Sequence, residues 1–226
     1  MIRMKTKNMI VALLALFTGC ATYYPQVVDV PLIKEKGDLR VNYGASWSPS
    51  LHGTVSYGAT EILAVQTYGS YDLIGRFHLQ GALGLFKKFE NNAVIELYGG
   101  YGYGNRITQY DDKIHLTNRE YHFPFVQFNI GKSDHVSVNV EYGLGLKAGY
   151  LNTYLLSSYD FSPSYRYSDW VIEPCVFFRF GKKVKMNVMF KYSFPMTNVI
   201  SREYYAFNNI NVGLGVNLSF LTKTTK

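Results

Sequence analysis

From Ile210 to Phe220 every second residue is apolar (Ile210, Val212, Leu214, Val216, Leu218, Phe220) and every residue between is small or polar (Asn211, Gly213, Gly215, Asn217, Ser219). A period of two sustained over that length is a β-strand with two unlike faces. At roughly 3.3 Å per residue it is also long enough to cross a bilayer at the tilt of a barrel strand. The same two-faced run recurs at residues 39–47, 51–59, 62–71, 77–86, 93–104, 121–131, 135–150, 170–180 and 184–194, with the last run opening near 208 and no helical segment between. The expectation is an all-β chain of about ten strands, with eight as the alternative. Residues 121–131 are the least regular, because Phe123 and Phe125 fall out of phase with Val126, Phe128 and Ile130 across Pro124.

Which face points where decides the fold. In a soluble barrel the apolar rows face inward and the polar rows meet water, so Lys, Glu and Thr would be expected on them. Here the polar rows are dense in Gly, Asn and Ser, which suits a crowded lumen, and Trp47, Tyr101, Tyr103, Tyr150, Trp170 and Phe220 stand near strand ends, where membrane barrels carry aromatic girdles. The favoured reading is therefore an antiparallel up-and-down transmembrane β-barrel over residues 38–220, with a soluble lipid-anchored barrel as the competing fold. Alternation hides membrane strands from averaged hydropathy, so a mean near zero does not indicate solubility. Connections after the second, fourth, sixth and eighth strands are short, whereas those after the fifth, seventh and ninth are long. Outer-membrane barrels place short turns in the periplasm and long loops outside. An even strand count then leaves both chain ends on the periplasmic side.

The N-terminus reads as a targeting segment, with Arg3, Lys5 and Lys7 ahead of an apolar stretch at 9–17. Its end, Phe17-Thr18-Gly19-Cys20, resembles a bacterial lipobox, with Phe17 where that family usually has Leu. The resemblance implies cleavage before Cys20 and acylation of its thiol and new amino group. The expected organisation is a lipoprotein signal peptide at 1–19, a lipidated periplasmic tether at 20–37 containing Pro25 and Pro31, the barrel at 38–220 and a tail at 221–226. The lipid is expected in the periplasmic leaflet of the outer membrane. Loss of residues 1–19 removes three of the positive charges and leaves a balance too mild to argue for nucleic acid. With Cys20 assigned to lipid, Cys175 stands alone in a strand, so neither a disulfide framework nor a zinc motif is expected. No cofactor or metal is expected either.

The whole pattern resembles the small outer-membrane barrels of Gram-negative bacteria, the OmpA-like and OmpX-like families, preceded by a lipoprotein signal. The resemblance is one of pattern over about 38–220. The closing strand ending in Phe220 is also similar to the C-terminal signal read by the barrel-assembly machinery, although residues 221–226 follow it. It implies as partners the membrane lipid and, during biogenesis, the barrel-assembly and lipoprotein-sorting machineries.

The polar rows carry Arg40, His52, His78, Glu96, Glu141, Lys147, Glu173, Arg179, Lys185 and Lys191. If Phe180 pairs with Val184, Glu173 falls opposite Lys191. Mixed charges in a narrow lumen are expected to pair and plug it, and a narrow aqueous pore is the alternative. In the long loops, Tyr154, Tyr159, Tyr165, Tyr167, Tyr204 and Tyr205 offer amphipathic contact area suited to a protein or glycan partner, or else to packing the loops on one another. A hydrolase is also weighed. Asp111, Asp112 and His115 compare with the rim Asp and His of omptin-like proteases, but match no known spacing and lack the raised strands such sites stand on. His122 with Ser158 would suit a lipid A-modifying enzyme, but no motif supports it. Gly99 to Gly104 looks like a phosphate loop, yet no helix follows it, and it reads as a strand with outward tyrosines. The expected role is structural, adhesive or that of an accessory subunit, without catalysis.

Overall fold

The computed structural model describes residues 23, 26, 30–47, 50–72, 75–110, 115–135, 139–157, 165–182, 184–196 and 210–221. Its strands are β1 (Asp38–Ser46), β2 (Ser50–Gly58), β3 (Leu63–Asp72), β4 (Arg76–Lys88), β5 (Ala93–Tyr110), β6 (His115–His135), β7 (Asn139–Ser157), β8 (Tyr165–Gly181), β9 (Val184–Tyr192), β10 (Phe194–Pro195) and β11 (Ile210–Leu221). From β1 to β9 each strand pairs antiparallel with the next, β11 pairs with β9, and β1 closes on β11 with Leu39 opposite Phe220. β9 and β10 keep one register against β8, with Lys191 opposite Cys175 and Phe194 opposite Ile172, and so form a single stave. The molecule is a closed, all-antiparallel barrel of ten staves. Over the height that all ten staves share, closure leaves no unpaired edge among the described residues, which is what the hydrocarbon interior of a bilayer requires of a sheet.

The faces fall as the alternation demands. On β11 Leu214 is 61% exposed and Asn217 is 0% exposed. On β4, Phe77, Leu79, Leu83 and Leu85 point out while His78, Gln80 and Ala82 point in. An exposed belt of Leu, Val, Ile, Phe and Tyr around a buried polar interior inverts a soluble core. It is the arrangement of a transmembrane barrel.

Three expectations need correction. First, β6 holds one phase over its described side chains, residues 119–133. Tyr121, Phe123, Phe125, Gln127 and Asn129 all face the lumen, Pro124 faces out with Val126, and the register is continuous from His122 opposite Asn152 to Phe125 opposite Gly149. The apolar residues on both sides of Pro124 come from an aromatic layer inside the barrel, not from a bulge. Second, β5 to β8 run to 18, 21, 19 and 17 residues, against 9 in β1 and β2. Much of 105–119 and 151–168, expected as loops, is ladder, and Tyr110 pairs with His115. The raised strands expected to be absent are present. Above the membrane a strand has no lipid face, so the period of two fades while the backbone ladder continues. Third, Phe180 pairs with Met186 rather than Val184, which shifts the β8–β9 register by two residues.

The largest departure concerns the tether. Expected as an extended periplasmic linker, its described part lies inside the barrel. Tyr23, Gln26, Val30, Leu32 and Ile33 are all at or below 1% exposure. A barrel of ten staves is wider than the eight-strand case that side chains alone fill, and a strip of the chain occupies the difference. Small wall residues make room for it. A methyl added at Gly131 would meet Leu32 Cδ2 at 2.8 Å, and one at Gly145 would meet Val30 Cγ2 at 3.1 Å. Residues 1–22, with the expected signal peptide and Cys20, lie outside the described residues, as do 222–226.

Candidate functional site

The lumen is built in layers from the short-turn end. Asp38, the first residue of β1, pairs with Arg40 at 2.9 Å and accepts the backbone N–H of Lys34 at 3.0 Å, which turns the chain from the wall into the interior. Beside them Glu141 gathers Lys34 at 3.2 Å, Arg40 at 3.4 Å, Arg179 at 3.6 Å and Lys185 at 2.5 Å, and accepts a hydrogen bond from Ser133 Oγ at 2.9 Å. One buried carboxylate is thus the shared partner of cations from the strip and from three strands. Glu96 accepts the Ile33 N–H at 2.7 Å and Asn129 Nδ2 at 2.9 Å. Arg179 donates to the Val30 carbonyl. Val30 and Leu32 pack in an apolar layer with Val94, Cys175, Phe177 and Met189.

Higher up, Glu173 pairs with Lys191 and accepts hydrogen bonds from Tyr23 and Ser193, both at 2.6 Å. Lys191 also donates to the Gln26 carbonyl at 2.7 Å, and Gln26 Oε1 accepts from Ser70 at 2.7 Å and Tyr68 at 3.1 Å. The Glu173 to Lys191 pair expected from the sequence forms on a diagonal, since the shifted register puts Cys175 opposite Lys191. Lys147 makes no ion pair among the described residues. Its ammonium lies 4.2 Å from the Phe125 ring centroid and donates to Gln80 at 3.0 Å. A chain of rings crosses the barrel at this height, from His52 through Tyr68, His78, Tyr121 and Tyr23 to Phe123, with centroids 5.2 to 6.2 Å apart. Buried polar atoms of Asn42, His52, Thr54 and Asn217 have no hydrogen-bond partner among the described residues.

All eight residues expected in the polar network, Arg40, Glu96, Glu141, Lys147, Glu173, Arg179, Lys185 and Lys191, are buried in the lumen. Sequence reasoning missed Tyr23, Gln26 and the lumenal aromatics Tyr98, Tyr121, Phe123 and Phe125. The available signal was the break in alternation around Pro124 and the glycines facing those rings: a methyl at Gly149 would stand 2.6 Å from Phe123, and one at Gly100 2.5 Å from Phe125.

The second candidate surface is the outer face of the raised strands. Tyr101, Tyr150 and Trp170 are exposed at one height, with Tyr150 and Trp170 in ring contact at 5.3 Å. Above them His122 sits among Tyr101, Tyr103 and Tyr154, its Nδ1 in contact with the Tyr101 hydroxyl. Arg166 lies over the Tyr154 ring at 5.2 Å, and Ser168 donates to Asn152 at 2.8 Å. Of the six loop tyrosines, Tyr154 belongs to this outward face, whereas Tyr167 packs against the lumenal cluster. Tyr165 begins β8, but its side chain lies outside the described residues, as do Tyr159, Tyr204 and Tyr205. Asp111, Asp112, Ser158 and the His115 side chain are outside them too. No group of His, Cys, Asp and Glu among the described residues could hold a metal.

Fold and lumen together define a transmembrane β-barrel whose interior is occupied by its own N-terminal strip. No protein-family model and no curated protein matches the chain. Among solved structures it is similar to the crystal structure of Ail, the attachment invasion locus protein of Yersinia pestis, in complex with the heparin analogue sucrose octasulfate. The likeness has 14% identity and a TM-score of 0.38, and it covers 82% of this chain and 99% of that one.

Proposed function

We propose that the protein is an outer-membrane β-barrel lipoprotein with a structural, adhesive or accessory-subunit role, and that it binds its partner through the raised rim of β5 to β8. The observation that carries this reading is the filled lumen. Tyr23, Gln26, Val30, Leu32 and Ile33 occupy the space a conduit would need, and Glu141 and Glu173 bind the lumenal cations that would select ions. What remains for recognition is the exposed aromatic and polar face around Tyr101, His122, Tyr154 and Arg166. Such rings combine large contact area with little entropy to lose, and so suit a protein or glycan surface. For the hydrolase reading, the partners of His122 among the described residues are aromatic, and Ser158 lies outside those residues.

The plug reading predicts that the intact chain gives no ion-conducting steps in planar bilayers, while removal of residues 21–33 produces them. Steady conductance from the intact chain would favour the narrow pore instead. Turnover of lipid A or peptide by the purified barrel would move the assignment to a hydrolase. For the anchor, Cys20→Ser should abolish labelling by an alkyne fatty acid and leave residues 1–19 attached. Labelling that survives the substitution rules out lipid at this residue.

A further inference from the structure

We infer that the N-terminal strip traverses the barrel from its short-turn end to its long-loop end, so that the chain before Tyr23 emerges on the outer side of the membrane. The contacts of the strip give its direction. Lys34 is tied to Asp38 at the base of β1, and Ile33 to Glu96 near the base of β5 (Ala93–Tyr110). Val30 meets Arg179 next to the short-turn end of β8. Gln26 is held by Ser70, close to the outer end of β3 (Leu63–Asp72), and by Lys191, beside the outer end of β9 (Val184–Tyr192). Tyr23 is fixed by Glu173 and packs edge-to-face with Tyr121 and Phe123, not far below the height of Tyr150 and Trp170. From Lys34 through Ile33 and Val30 to Gln26 the described contacts climb toward the long loops, and Tyr23 is held at that upper level, on the same Glu173 to Lys191 pair and Tyr121 ring that hold Gln26.

The consequence for the anchor rests on the lipoprotein reading proposed above. Between Glu173 and the short-turn end of β8 at Gly181 lies about 20 Å of membrane height, at roughly 3.3 Å per residue and the tilt of a barrel strand. The stretch from Tyr23 back to Cys20 reaches only about 10 Å when fully extended. With Tyr23 seated, an acylated Cys20 cannot return to the periplasmic leaflet, and the closed wall offers no lateral exit. Its acyl chains must pass over the outer rim, where β1 to β4 stand lower than β5 to β8, and enter the outer leaflet. The lipid then belongs to the cell-surface side, the reverse of the placement expected from the strand count.

The test is site-directed labelling of the full chain in its cellular membrane. Thr22→Cys, combined with Cys175→Ser, is treated with a membrane-impermeant maleimide on intact cells, on permeabilised cells and after unfolding, while an alkyne palmitate reports acylation in parallel. Labelling on intact cells equal to that after permeabilisation is the expected result. Labelling only after permeabilisation, or only after unfolding, overturns the inference. External labelling without palmitate incorporation would leave the threading intact and remove the lipoprotein reading, so the two claims fail separately.

Discussion

Glu141→Gln is expected to destabilise the barrel by about 3–5 kcal/mol, the cost of removing one partner from a buried charge cluster. The carboxylate is fully buried and is within 4 Å of Lys34, Arg40, Arg179 and Lys185. An amide of the same shape keeps the packing and the Ser133 contact but removes the counter-charge shared by cations from the strip and from β1, β8 and β9, of which Arg40 keeps Asp38. The asymmetry of the cluster makes a second expectation. Lys185→Met removes one of several cations from a single anion, and should cost far less than Glu141→Gln because it also relieves repulsion. Urea unfolding of the purified barrel in phospholipid vesicles, followed by the fluorescence of Trp47 and Trp170, measures both. Equal effects of the two substitutions would mean that Glu141 does not organise this end of the lumen.

Leu214→Arg is expected to cost roughly 2–4 kcal/mol on folding into a bilayer, the depth-dependent penalty for a cation on the lipid face near the midplane. Leu214 is 61% exposed on the outside of β11, whereas Asn217 on the same strand is 0% exposed and opposite Asn42. A soluble barrel with the same pairing would put the two residues in exchanged environments. Spin labels at the two positions therefore separate the folds: oxygen dissolved in the bilayer should enhance relaxation at 214 and not at 217. A label at 214 that responds only to a water-soluble reagent would contradict the membrane-facing belt.

The part of the fold legible in the sequence is the part that a bilayer imposes. Where a strand lies between lipid and lumen, its neighbours along the chain must alternate in polarity. Leu39 to Trp47, Phe77 to Phe86 and Ile210 to Phe220 therefore announce both their extent and their faces. By the same constraint, alternation alone assigns Arg40, Glu96, Glu141, Glu173, Arg179, Lys185 and Lys191 to the inner face. The constraint disappears above the membrane, where Asn105 to Tyr110 and Leu116 to Arg119 form ladder without any hydropathy period.

Only the tertiary structure decided how the lumen is filled. The described residues of the strip follow no repeating pattern because their contacts change from strand to strand: Ile33 meets β5, Leu32 β6, Val30 β8, and Gln26 β3 and β9. A segment that takes its environment from an enclosing wall, residue by residue, carries no periodic signal. The register of β8 on β9 was equally hidden, since a shift of two leaves every side chain on its original face. Polarity along the chain thus determined inside and outside, while the path of the N-terminal strip depended on which side chains the closed barrel brings together.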